Sequence, residues 1–150
     1  MRDRPYTVLS CCVSIDGYIG SAASRLLLSN DADFERVDTV RASCDAILVG
    51  AETVRIDNPR LLVRSKSRRD ERAAHGLPES PLKVTVTRRA ELDARADFFK
   101  AGDVEKIVYC ASPWAADARD RLGNVATIVD AGSSIEMGTL SADLAARGRV

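Results

Sequence analysis

The stretch from Asp45 to Arg64 constrains this chain more than any other. It runs from an apolar β-type segment, Ala46-Ile47-Leu48-Val49, through Gly50 into a short helical turn. A rigid Asp57-Asn58-Pro59 corner follows. That order belongs to a strand-to-helix junction of an α/β sheet, and ligands of open α/β sheets sit at the carboxyl ends of strands. N–H groups that open a helix lack intrahelical partners and favour phosphate. A hydroxyl (Thr53) and a carboxylate (Asp57) accompany those N–H groups. The stretch carries neither a GxGxxG fingerprint nor a Walker loop, so neither a Rossmann nor a P-loop assignment follows from it.

The rest of the chain alternates in the same manner. Tyr6–Ser14 is β-branched and apolar and reads as a buried strand, with Gly17 and Gly20 marking a turn after it. Asn30 is a good N-cap for a helix reaching about Ser43, with Phe34, Val37, Val40 and Cys44 as its apolar stripe. Residues 65–81 are polar, arginine-rich and punctuated by Gly76, Pro78 and Pro81, which predicts a long surface loop. Lys83–Thr87, Lys106–Cys110 and Val125–Val129 read as strands, and Pro113–Leu122 and Gly138–Ala146 as helices. Such alternation predicts one α/β domain over residues 1–150, with a mainly parallel sheet flanked by helices.

Composition narrows the function classes. Twenty-two acidic residues balance 22 basic ones, so no global field favours nucleic acid or a membrane surface. The basic cluster Arg64, Lys66, Arg68, Arg69 and Arg72 lacks aromatic residues for base stacking and reads as a solvated loop. No apolar run reaches transmembrane length, and Met-Arg-Asp-Arg-Pro does not open a signal peptide, so a cytoplasmic location is expected. Cys11, Cys12, Cys44 and Cys110 form no CxxC pair, and His75 stands far from any cysteine pair. Buried reduced thiols and no metal site are expected.

Two motifs carry a resemblance. Ser14-Ile15-Asp16-Gly17-Tyr18-Ile19 is similar to a Ser-x-Asp-Gly-x-Ile motif that follows a first strand. Val40-Arg41-Ala42, and then the gap-free run from Asp45 to Arg64, form the second. Both resemble the reductase domain of riboflavin biosynthesis, which is dihydrofolate-reductase-like and is usually the second half of bifunctional deaminase-reductases. The resemblance is clear over residues 5–64 and weaker over 81–148. The His-x-Glu and Pro-Cys-x-x-Cys zinc signature of the deaminase half is absent from this sequence.

The resemblance implies NADPH-dependent reduction of a 5-amino-6-(5-phosphoribosylamino)uracil-type pyrimidine, in a protein that commonly forms homodimers. It implies cofactor contacts from Cys12, Asp16, Gly50, Thr53, Asp57, Thr87 and Arg88, and substrate contacts from Ser10, Arg41, Leu61 and Arg64. No catalytic side chain is singled out. Arg41 falls on the apolar stripe of its helix, so it either snorkels to the edge or reaches into a cleft. The family's use of the matching arginine favours the cleft. Arg88 either reads the 2′-phosphate that distinguishes NADPH from NADH or is an exposed loop arginine. Ser10 stands where bifunctional bacterial relatives carry a lysine that recognises the deaminated ring. That departure makes the non-deaminated diaminopyrimidinone a second candidate substrate. A non-catalytic nucleotide-binding or assembly module is a third reading. Family domains also continue into a Glu-Gly-Gly loop and further strands, and Arg149-Val150 read as the onset of another strand, so the chain is a fragment, or a partner chain completes the sheet, or the sequence is truncated.

Overall fold

The computed structural model describes residues 4–19 and 28–149. Gly20 and Val150, on which two of the expectations above fall, lie outside the described residues. Helix α1 (Asp31–Ser43) starts where the sequence predicts, because the Asn30 side chain accepts the Asp33 N–H at 2.9 Å. Strand β1 (Ala46–Gly50) leads directly into α2 (Ala51–Asp57). Then follow α3 (Lys66–Ala74), β2 (Leu82–Thr87), the four-residue α4 (Asp97–Lys100) and β3 (Lys106–Cys110). A 3₁₀ turn with Pro113 inside it opens α5 (Ala115–Leu122). Strand β4 (Thr127–Asp130) and α6 (Met137–Ala146) complete the order.

The four strands lie in sequence order and every neighbouring pair is parallel, as the alternation predicts. Side chains of a strand alternate between faces, and here each face buries a separate core. Val108 and Cys110 join Ala51 and Val54 of α2, Phe98 and Phe99 of α4, and Ala118 and Leu122 of α5. Leu82, Val84, Ile107 and Tyr109 point the other way, against Leu140 and Leu144 of α6. Tyr109 also donates to Asp143 at 2.6 Å, which ties α6 to the sheet, and burial first and that carboxylate second raise its pKa.

Three expectations are corrected. Tyr6–Ser14 is not a buried strand: it is exposed, and Leu9 and Ile15 are almost fully so. A β-prone run becomes a strand only with a ladder partner, and this one has none among the described residues. Residues 65–81 are not a loop throughout, because α3 occupies Lys66–Ala74. Its arginines brace the fold: Arg72 is buried and donates to Ala42 O, Cys44 O and Pro78 O at 2.7, 2.9 and 2.8 Å. It therefore satisfies carbonyls left open at the end of α1. Of the four free thiols only Cys110 is buried, whereas Cys11 and Cys12 are exposed.

Lys83, in the middle of the sheet, is fully buried. Its ammonium donates to Phe98 O at 3.0 Å and Ala101 O at 2.6 Å, stapling α4 to β2. Burial first and neighbouring Lys106 second lower its pKa to about 8, with Asp97 opposing. The unfolded chain therefore holds this proton more tightly than the fold, and raising the pH favours the fold between the two pKa values. Relative to Lys83→Met, wild-type stability should rise as the pH climbs from about 8 towards 10, by up to about 3 kcal/mol over the full window. Urea unfolding of both proteins across that range checks it, and a pH-independent difference would refute the coupling.

Candidate functional site

The parallel sheet brings the ends of β1 and β2 to one edge, where Gly50 pairs in register with Val86. A Cβ built on Gly50 would meet nothing within 4 Å, so the floor at the end of β1 is open. Thr53 follows on α2, half-buried. Thr87 is buried and its Oγ1 accepts the Ala90 N–H at 3.0 Å, so that hydroxyl shapes the turn after β2. The turn leaves Arg88 exposed and without an ion pair among the described residues. Next to it, Arg89 lies over the Trp114 ring at 5.9 Å. Gly50, Thr53, Thr87 and Arg88 thus share the carboxyl edge. Asp57 stands at the far end of α2, roughly 10 Å along the helix by its rise per residue.

A second group gathers around Asp38 of α1, which is 2% exposed. Its Oδ1 accepts the Arg64 N–H at 2.6 Å, and its Oδ2 accepts the Ser65 N–H at 3.0 Å and Arg68 Nη1 at 2.8 Å. Burial would raise this carboxyl's pKa, but the two N–H groups and the Arg68 guanidinium outweigh burial and hold it below the ordinary aspartate value. Arg69 Nη1 donates to Val63 O at 3.1 Å and Arg64 O at 2.5 Å, and Ser80 Oγ accepts the Val63 N–H at 2.9 Å. The backbone at Arg64 is therefore held from both sides.

The Arg64 side chain leaves this clamp to lie over the Phe34 ring, 5.0 Å from its centre. Arg41 lies half-buried nearby. Burial first and the charge of Arg64 second lower its pKa, with Asp38 acting in the opposite sense. It stays a cation at neutral pH. Neither guanidinium has an ion pair among the described residues. Arg41 on α1 and Arg64 in the segment before α3 are thus two cations near enough for the charge of one to act on the other, an arrangement suited to a dianion such as a phosphate ester. Leu61 lies just before them with its side chain buried in the core, in the left-handed region at φ 51°.

Ser10, Cys12 and Asp16 belong to the exposed segment 4–19. Asp16 accepts from Ser14 Oγ at 2.5 Å within a turn that Gly17 closes at φ 89°. No hydrogen bond or ion pair joins these three residues to the other two groups among the described residues. Asp38 and Ser80 were absent from the residues singled out by sequence, and Arg69 was read there only as part of a solvated loop. Asp38 had a signal: it follows Phe34 by four and precedes Arg41 by three, which sets a carboxylate in the helix's apolar stripe. Among the described residues no cluster of His, Cys, Asp or Glu suits a metal ion.

A parallel sheet that buries a helical layer on each face defines a domain of the α/β class. Residues 5–149 match the RibD C-terminal domain, and the chain belongs to that family. An Archaeoglobus fulgidus protein named 2,5-diamino-6-ribosylamino-4(3H)-pyrimidinone 5′-phosphate reductase is 38% identical over 94 residues, 62% of this chain and 43% of that protein. A Methanothermobacter thermautotrophicus protein of the same name is 40% identical over 83 residues, covering 55% and 35%. A Thermotoga maritima diaminohydroxyphosphoribosylaminopyrimidine deaminase/5-amino-6-(5-phosphoribosylamino)uracil reductase shares the fold at a TM-score of 0.76 and 23% identity, over 98% of this chain and 37% of that one. The chain spans less than half the length of these curated relatives.

Scaffold and ligand-facing residues should separate by stability. Arg41→Ala and Arg64→Ala remove a cation that makes no ion pair among the described residues and should change unfolding free energy by no more than about 0.5 kcal/mol. Asp38→Ala strands two N–H groups and a guanidinium and should cost about 2–4 kcal/mol. Urea titrations of the three variants decide, and a collapse of Arg41→Ala would make Arg41 structural.

Proposed function

We propose that this chain is the reductase part of a riboflavin-pathway enzyme that reduces the ribosyl group of a pyrimidine phosphate with NADPH. The observation that carries the reading is the Arg41–Arg64 pair, held from two elements beside a buried carboxylate in a member of this family. Arg41 and Arg64 bind the substrate phosphate and so fix the sugar. The carboxyl edge suits a nucleotide: its floor at Gly50 is open and Arg88 is exposed. Arg88 pairs with a 2′-phosphate, and Thr53 and Asp57 supply polar contacts along the cofactor. When bound, NADPH supplies a hydride to C1′ of the ring-opened imine, and a proton from solvent completes the ribitylamino product. The protein's part is orientation and electrostatics, since the hydride chemistry belongs to the cofactor.

Between the two pyrimidines, we infer the non-deaminated diaminopyrimidinone. Relatives at 38–40% identity bear its name, and Ser10 offers no cationic donor for a deaminated ring. Assay of the protein encoded by the full gene with both substrates, following NADPH oxidation, should give a kcat/KM for the diaminopyrimidinone at least equal to that for the uracil. A strong preference for the uracil would overturn the assignment.

Cofactor choice is tested separately. Arg88→Ala should weaken NADPH by about tenfold to a hundredfold, the loss expected of one charge-assisted contact, and leave NADH nearly unchanged. Fluorescence titration of both cofactors measures it. Equal losses would show that Arg88 does not read the 2′-phosphate.

A further inference from the structure

We propose that Asp38 is the positioning residue of the phosphate site: its buried carboxylate sets where the Arg64 guanidinium stands relative to Arg41, without touching the ligand itself. The inference rests on the reading of Arg41 and Arg64 as phosphate ligands.

Three geometric facts support it. Asp38 is almost fully buried, and all its described partners lie on the segment carrying Arg64 and the helix after it: Arg64 N, Ser65 N and Arg68 Nη1. A carboxylate that accepts consecutive backbone N–H groups fixes the peptide plane between them, and hence the direction in which the Arg64 side chain departs. Asp38 also precedes Arg41 by three on the same helix, so one turn of α1 carries both the anchor for Arg64 and the second cation. The backbone that carries Arg64 is thus fixed relative to the helix that carries Arg41. Arg68 bridges Asp38 Oδ2 at 2.8 Å to Glu35 at 3.0 Å, which keeps that carboxylate oxygen engaged.

The sign of a charge effect separates this role from a purely electrostatic one. Asp38 is an anion close to a proposed anion site, so by Coulomb's law alone its neutralisation would tighten phosphate binding. A positioning role demands the opposite. An amide at this place keeps one acceptor oxygen but turns an NH₂ towards an N–H or guanidinium donor, which releases part of the clamp.

The experiment is a titration of the 150-residue chain with inorganic phosphate, followed through the Arg64 and Ser65 amide signals of ¹⁵N-labelled protein. Wild type, Arg64→Ala, Asp38→Asn and Asp38→Glu are compared, with circular dichroism as the check on folding. Arg64→Ala should lose phosphate binding. Asp38→Asn should weaken it at least tenfold, with both amide signals displaced before phosphate is added. If Asp38→Asn does not fold, Asp38→Glu decides: it keeps the charge but moves the carboxylate by one methylene, and should weaken phosphate at least threefold. Affinity equal to or tighter than wild type in the folded Asp38 variants, with Arg64→Ala still defective, overturns the positioning role and leaves the phosphate site standing. Unchanged affinity in Arg64→Ala overturns the phosphate site and the positioning role together.

Discussion

A carboxylate buried to 2% exposure at Asp38 is the constraint on which the candidate site depends. Removing an ionised carboxylate from water is costly unless donors replace the solvent. Here two backbone N–H groups and one guanidinium do so, strongly enough to hold the carboxyl ionised below the ordinary range. Those donors come from three consecutive structural pieces: the end of the segment after α2, the N-cap residue of α3, and α3 itself. Ser65 makes no side-chain cap, so Asp38 is a remote anion at the start of α3 and satisfies a helix N-terminus from another helix. Breaking that contact would leave charge and N–H groups unpaired together, which makes the arrangement close to all-or-none.

The same economy recurs at the other junctions. Arg72 closes the end of α1, Lys83 holds the carbonyls around α4, and the Asn58 side chain accepts the Asp97 N–H at 2.7 Å. Each is a polar side chain that serves backbone groups which the regular elements leave open. A parallel sheet with short helices creates many such ends. The buried Arg72 and Lys83 are therefore part of the scaffold, while the exposed Arg88 and the half-buried Arg41 make no ion pair among the described residues.

Local signals were legible in the sequence. Asn30 capping α1, the apolar run of β1 ending at Gly50, and the periodicity of α6 each rest on nearest neighbours along the chain, and each element stands where it was expected. Tyr6–Ser14 was not legible, because a strand is decided by its partner and its composition says nothing about whether one is present. Helix α3 was hidden by its charge: Lys66, Arg68, Arg69 and Arg72 look like solvent-facing residues, and only the fold shows Arg69 and Arg72 reaching backbone carbonyls of other segments. Asp38 was hidden for the same reason, since α1 carries further aspartates at Asp31 and Asp33 near its capped end.

Arg41 and Arg64 show where local and global interests diverge. Folding alone gives no reason to set two guanidinium groups near each other: burial is the first cause of the lowered pKa of Arg41, and the charge of Arg64 adds to it. The segment leading to them adds backbone strain, with Asn58 at φ 44° and the buried Leu61 at φ 51°, a conformation unfavourable for a leucine. Asn58, Ser80 and Asp38 each pin this segment through a side-chain oxygen that accepts a backbone N–H. Strain and like charge are tolerated because the clamps over-determine the geometry.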